Sequence, residues 1–118
     1  AEAVKNCQQP EGYWTRSLLD KNHAPGPETS GTAFFTYGLL WGINNGLLSR
    51  REYWPTVEKA WTYLTTVALR PDGFVGYVQP IGERAIPGQI VDSQSTANFG
   101  VGAFLLAACE MVRYIDAR

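Results

Sequence analysis

Scarcity narrows the possibilities for these 118 residues before any motif does. Cysteine is limited to Cys7 and Cys109, 102 positions apart. Two are too few for a disulfide framework or a cysteine metal site, so two reduced, buried thiols are expected. Histidine occurs once, at His23, in a loop with prolines at 25 and 27. Asp20-x-x-His23 falls short of the three or four ligands zinc needs, and no metal or cofactor is expected. An excess of either charge is also missing: ten basic residues face eleven acidic ones, for a net charge of -1. The basic residues are scattered apart from Arg50-Arg51, so nothing argues for binding nucleic acid or an anionic membrane. No apolar run of membrane-span length is expected, and Ala1–Asn6 lacks the charged-then-apolar layout of a signal peptide. The first residue is not methionine, so a processed, trimmed or excerpted chain is expected. The expected compartment is the cytoplasm, with secretion or the periplasm as alternatives. No serine or cysteine has the surroundings of a catalytic triad, and Gly31, Gly38 and Gly42 do not form a phosphate loop.

What is present is a balance of 45% hydrophobic and 18% charged residues, suited to a single globular domain. Its centre is Pro27 to Gly46. A proline, an acid and two hydroxyls lead into a helix of about four turns, with Ser30 or Thr29 as N-cap and Asn45-Gly46 as the stop. Ala33, Phe34, Phe35, Tyr37, Leu39, Leu40, Trp41 and Ile43 surround its axis, which predicts burial on every side. The short link Leu47-Leu48-Ser49 predicts an antiparallel return. Ser49 and Glu52 have capping-box spacing, and Pro55 places the main helix start near itself. From there Val57, Ala60, Trp61, Leu64, Val67 and Ala68 share one face. A final helix, capped by Ser93, Ser95 or Thr96 and running to about Asp116, is again apolar all round over Gly100–Cys109.

The halves repeat. A helix tail over residues 1 to 8, Pro10-Glu11-Gly12-Tyr13, a short extended piece, a polar loop and a glycine-rich buried helix come first. Pro71-Asp72-Gly73-Phe74, an extended piece, a polar loop and a second such helix follow 61 positions later. One hairpin per unit at that period is what stacked α/α arrays show. Two units cannot cover helices that are apolar on all sides, so the chain is expected to be the end of a longer helical array.

Several stretches carry a resemblance: Gly12-Tyr13-Trp14-Thr15-Arg16-Ser17-Leu18-Leu19-Asp20, Pro27-Glu28-Thr29-Ser30-Gly31-Thr32-Ala33, Tyr37 through Gly46, Gly76-Tyr77-Val78-Gln79-Pro80 and Gly100 through Ala107. They resemble the C-terminal third of unsaturated rhamnogalacturonyl hydrolases, the family 105 glycoside hydrolases related to unsaturated glucuronyl hydrolases. The resemblance implies an all-α fold, the last two hairpins of a six-hairpin α/α barrel. It also implies removal of an unsaturated uronic acid from pectin-derived oligosaccharides. In that family an aspartate protonates the vinyl ether and water adds, unlike the two-carboxylate displacement of most glycosidases. That aspartate lies upstream of the matching region. Asp20, Asp72 and Asp92 match no catalytic motif, so no catalytic residue is assigned here.

Candidate substrate contacts remain. Glu28, Thr29 and Ser30 open a helix whose free N–H groups and dipole suit a uronate, although a plain cap explains them equally well. Trp14 and Arg16 can stack on a sugar and pair with its carboxylate, against the commoner outcome of a packed aromatic beside a solvated arginine. Tyr77 and Gln79 hold the equivalent place in the second repeat. His23 is expected to be solvated, and Trp41, Trp54 and Trp61 to be core. The expected partners are an oligosaccharide substrate and the rest of the barrel or a second copy. The alternative is a non-catalytic helical module that binds sugar or protein through its uncovered face.

Overall fold

A computed structural model describes residues 1–118; its regular elements are all helical, with no strands. The helices are α1 (Glu2–Asn6), α2 (Thr29–Asn44), α3 (Arg50–Tyr63, extended by a π-helical turn over Leu64–Ala68) and α4 (Asn98–Ala117). The expected extended pieces amount to one isolated antiparallel bridge, between Leu69 and Val75.

Contacts at the helix ends set the directions. Thr29, at the start of α2, touches Tyr63 at the end of α3, so the two are antiparallel. Asn44, at the end of α2, donates to the Glu110 backbone and carboxylate late in α4, at 3.0 and 2.8 Å. At the other end of α4, Gly100 lies against Val78, only two residues beyond the Gly76 carbonyl that accepts from Thr29. Thus α2 and α4 run parallel, and α3 returns beside α2.

Two clusters form the interior. Trp14, Leu39, Leu40, Tyr53, Val57, Ala60, Met111 and Tyr114 make the larger one, and Ala33, Tyr63, Leu64, Ala68, Ala103 and Phe104 the smaller. Trp54 stacks on Tyr114 and Trp61 on Phe104, with ring centroids 4.4 and 5.9 Å apart.

Several expectations are corrected. Helix α3 begins at Arg50 and carries Pro55 inside it, because the Ser49 hydroxyl accepts from the Glu52 N–H and closes the first turn. The carbonyl that Pro55 leaves without a donor is that of Arg51, on the solvent side. Val67 is exposed: the π turn, closed by Leu69 N–H to the Leu64 carbonyl at 2.9 Å, shifts the helical register under it. No side chain caps α4, since the Ser95 hydroxyl is used within a turn at Asp92. Cys109 is exposed and Cys7 half-buried. Helix α4, with 20 residues, is long and apolar enough to match a membrane span by length and composition, contrary to the sequence reading. Its Ala103, Phe104, Ala107, Met111 and Tyr114 pack into the interior, and Glu110 is buried within it.

Nor is α2 covered all round. Phe34 and Trp41 are 48% and 43% exposed, and a Cβ at Gly38 would meet nothing within 4 Å. Helix α4 likewise leaves Val101, Leu105, Leu106, Val112 and Ile115 exposed. Helices α2 and α4 therefore each keep one apolar side open within these residues.

Candidate functional site

Two irregular segments, residues 13–28 and 74–97, meet where α2 and α4 begin. Glu28 joins them. Its backbone is extended (φ -133°, ψ 115°), and its carboxylate accepts from the N–H groups of Ser30 at 3.1 Å and Gly31 at 2.7 Å. The Ser30 hydroxyl donates to the same carboxylate at 2.8 to 2.9 Å, and the Gln79 N–H at 3.0 Å. Glu28 is 2% exposed. It is the cap of α2 in place of Ser30 or Thr29, and it fills the anion position that the helix start was expected to offer a ligand. Thr29 donates its N–H to the Tyr77 carbonyl at 2.7 Å and its hydroxyl to the Gly76 carbonyl at 2.6 Å. Glu28, Thr29 and Ser30 thus have their polar groups engaged inside the protein, and none of them lines the cavity that Arg16 and Gln79 share.

With the Thr29 proton committed to Gly76, the Tyr63 hydroxyl donates to Thr29 Oγ1 across 2.8 Å. Burial pushes the Tyr63 phenol well above its ordinary range, and the Glu28 carboxylate adds to the shift. Tyr13 packs on Tyr63 with centroids 5.6 Å apart, and its phenol is also raised, by burial and then by Glu11.

Trp14 is a correction. At 1% exposure it cannot stack on a sugar: its indole N–H donates to the Val4 carbonyl at 2.7 Å and its ring meets Phe35 edge-on. Arg16 and Gln79, in contrast, come together. They line a cavity of about 250 Å³ whose walls also include Arg84, Glu83 and Gln89. Half-buried Arg16 donates to the Gln89 side chain at 2.7 Å and to the Gln89 carbonyl at 3.2 Å. The chain's two ion pairs are Lys5–Glu52 and Arg113–Glu110, so Arg16 has no carboxylate partner. Tyr77 sits apart from that cavity wall, with a left-handed backbone (φ 62°) uncommon for a non-glycine residue. Its N–H donates to the Asp92 carbonyl at 2.9 Å.

Sequence reasoning missed Gln89 and Arg84, because neither motif nor periodicity marks a loop partner 73 positions from Arg16. His23 is exposed, 3.4 Å from the Ala85 carbonyl. Asp20, Asp72 and Asp92 each accept a backbone N–H two residues on, from Asn22, Phe74 and Gln94, and serve as turn residues.

The cavity thus gathers two arginines, a glutamate and two glutamines from two loops of the helical repeat. The family model described as Glycosyl Hydrolase Family 88 matches residues 1–115. The chain belongs to Glycosyl Hydrolase Family 88. The family shown is thus 88, where the motifs by themselves resembled family 105. Relatives named unsaturated 3S-rhamnoglycuronyl hydrolase are 44% identical over 112 residues in Alteromonas sp. (strain LOR) and 42% over 113 in Formosa agariphila. These matches cover 95% and 96% of this chain but only 26% and 29% of those proteins. A solved structure described as Glycosyl hydrolase family 88 from Bacteroides vulgatus superposes with a TM-score of 0.91 at 69% identity, over 96% of this chain and 32% of that one. Another, described as a polysaccharide lyase, has a TM-score of 0.92 at 74% identity, over 99% and 33%. Residues 1–118 therefore span about a quarter to a third of the proteins they match.

Proposed function

We propose that these residues are the C-terminal portion of a six-hairpin α/α barrel of the unsaturated rhamnogalacturonyl hydrolase type. The substrate in this reading is an oligosaccharide with an unsaturated uronic acid at its non-reducing end, joined to a rhamnose-containing chain. The observation that carries it is Arg16: a half-buried guanidinium, aimed by Gln89 and free of any acidic partner, on the wall of a cavity it shares with Gln79. Such a fork pairs with a planar carboxylate. Parallel inner helices α2 and α4, each with an open apolar side, support the barrel, as do relatives three to four times longer. The remaining hairpins of the barrel, or a second copy, cover those sides.

In this reading Arg16 fixes the uronate and Gln79 offers an amide to the ring, while the acid that protonates the vinyl ether comes from outside residues 1–118. Water then adds and the hemiacetal collapses. Asp20, Asp72 and Asp92, held in turns, leave that part to another segment.

The test uses the ultraviolet absorbance of the conjugated double bond. With an unsaturated rhamnogalacturonan disaccharide, the full-length protein carrying this chain consumes the absorbance, and residues 1–118 alone do not. Decay with the 118 residues alone overturns the placement of the acid. A rise in absorbance on intact polymer means elimination, and replaces the hydrolase by a lyase. In the full-length protein Arg16→Ala raises KM roughly thirtyfold, from the loss of about 2 kcal/mol of charge-assisted hydrogen bonding. An unchanged KM removes Arg16 from the site.

A further inference from the structure

The cap of α2 is an unusual choice. Asp, Asn, Ser and Thr lead at helix N-caps because their short side chains reach the second and third N–H groups. Glu28 serves both of those, at Ser30 and Gly31, with a side chain one methylene longer. The extra length has a visible use: Oε2 also accepts from the Gln79 N–H, 51 positions away. Three further bonds fasten the same segment. The Tyr77 and Gly76 carbonyls accept from Thr29, and the Tyr77 N–H donates to Asp92. Between these anchors Tyr77 is held at φ 62°, a backbone state that costs a tyrosine energy and persists only where surroundings impose it. Left-handed at 77, the chain then turns so that Gln79 joins Arg16 on the cavity wall.

We propose that Glu28 is a positioning residue for the sugar pocket, acting through Gln79: its carboxylate clamps the Gln79 backbone to the start of α2 and so keeps Gln79 on the cavity wall with Arg16. This rests on the reading of that cavity as the uronate site. Glu28 touches no substrate in this arrangement. It ties the second repeat's loop to the first repeat's helix, which makes the pocket a property of both.

The substitution that separates capping from clamping is Glu28→Asp, made in the full-length protein. Aspartate keeps the Ser30 and Gly31 bonds but cannot also reach Gln79. Two readouts apply. Amide hydrogen exchange at Gln79 quickens by about tenfold or more while that at Ser30 and Gly31 stays protected, as expected when one buried bond is lost and the cap is kept. For the unsaturated disaccharide KM rises by about tenfold with kcat and Tm nearly unchanged, since misplaced contacts weaken binding. Glu28→Gln, which sets an amide donor against these N–H groups, lowers Tm as well. Unchanged exchange at Gln79 overturns the proposal. So does quickened exchange with an unchanged KM in a protein where Arg16→Ala raises KM. An unchanged KM in Arg16→Ala itself brings down the uronate site and this role with it.

Discussion

The turns that open the two repeats share one backbone and differ in everything around it. In the first, the Gly12 N–H donates to the Gln9 carbonyl and the Gln9 N–H to the Tyr13 carbonyl, both at 2.9 Å, with Gly12 at φ 101°. In the second, Gly73 donates to Arg70 at 2.9 Å and Arg70 to Phe74 at 2.8 Å, with Gly73 at φ 89°. The bonds correspond residue for residue at the 61-position offset. Yet a side chain at Gly12 would run into the Lys59 carbonyl of α3, while one at Gly73 would meet nothing within 4 Å. The Gln8 side chain adds to the first turn's packing by donating to both the Gly12 and Thr56 carbonyls at 2.9 Å. Turn chemistry is therefore local, and the packing of the turn depends on which helix lies next to it. Helix α3 covers the first, and no counterpart among residues 1–118 covers the second.

The largest effect expected from this contrast is at Gly12. Gly12→Ala combines a left-handed backbone with overlap against a helix carbonyl that cannot swing away, so a loss of about 3 kcal/mol or more is expected. Urea denaturation gives the value, and a loss under about 1 kcal/mol would show that α3 shifts freely and the contact is loose.

A middle-sized effect belongs to Tyr63, which links the end of α3 to the start of α2 and, through Thr29, to Gly76 of the second repeat. Tyr63→Phe removes one buried hydrogen bond, for a cost of about 1 kcal/mol at neutral pH. Because the folded phenol titrates above the ordinary 10.0, its stabilisation is fully present below that pH and declines as pH rises beyond it. The gap between the two proteins is therefore constant from neutral pH to about 9 and shrinks above 10. Denaturation midpoints taken across that range check the sign. A gap that widens with alkali would mean that the phenolate is the better bound form.

The contrast between the turns also separates what was legible in the sequence from what was not. The repeat, the helical hairpin and the Ser49 cap were readable because glycine, proline and hydroxyl placement act over a few residues. Pairing of residues far apart in the chain was not. Trp14 stands in the sequence as a candidate sugar platform beside the commoner packed reading, because nothing nearby in sequence shows that Val4 and Phe35 enclose it. Sequence points to Ser30 or Thr29 as the cap because glutamate is not a favoured N-cap, and the second task of Glu28, at Gln79, lies in the other repeat. Val67 falls on the inner face of a straight 3.6-residue period, which does not anticipate a π turn. At the site, Arg16 and Gln79 were found as types in matching positions, but Gln89, which aims Arg16, carried no signal.

The smallest effect is at Gly73. Gly73→Ala pays only for the left-handed backbone, about 1 kcal/mol, because no neighbour opposes the methyl group. Measured on residues 1–118, that cost is well below the one at Gly12. In the full-length protein, a third hairpin packed on this turn as α3 packs on the first would raise the Gly73→Ala cost toward that of Gly12→Ala. An equal, small cost in both settings would mean that the second turn stays open to solvent, and that the repeat symmetry ends with the backbone.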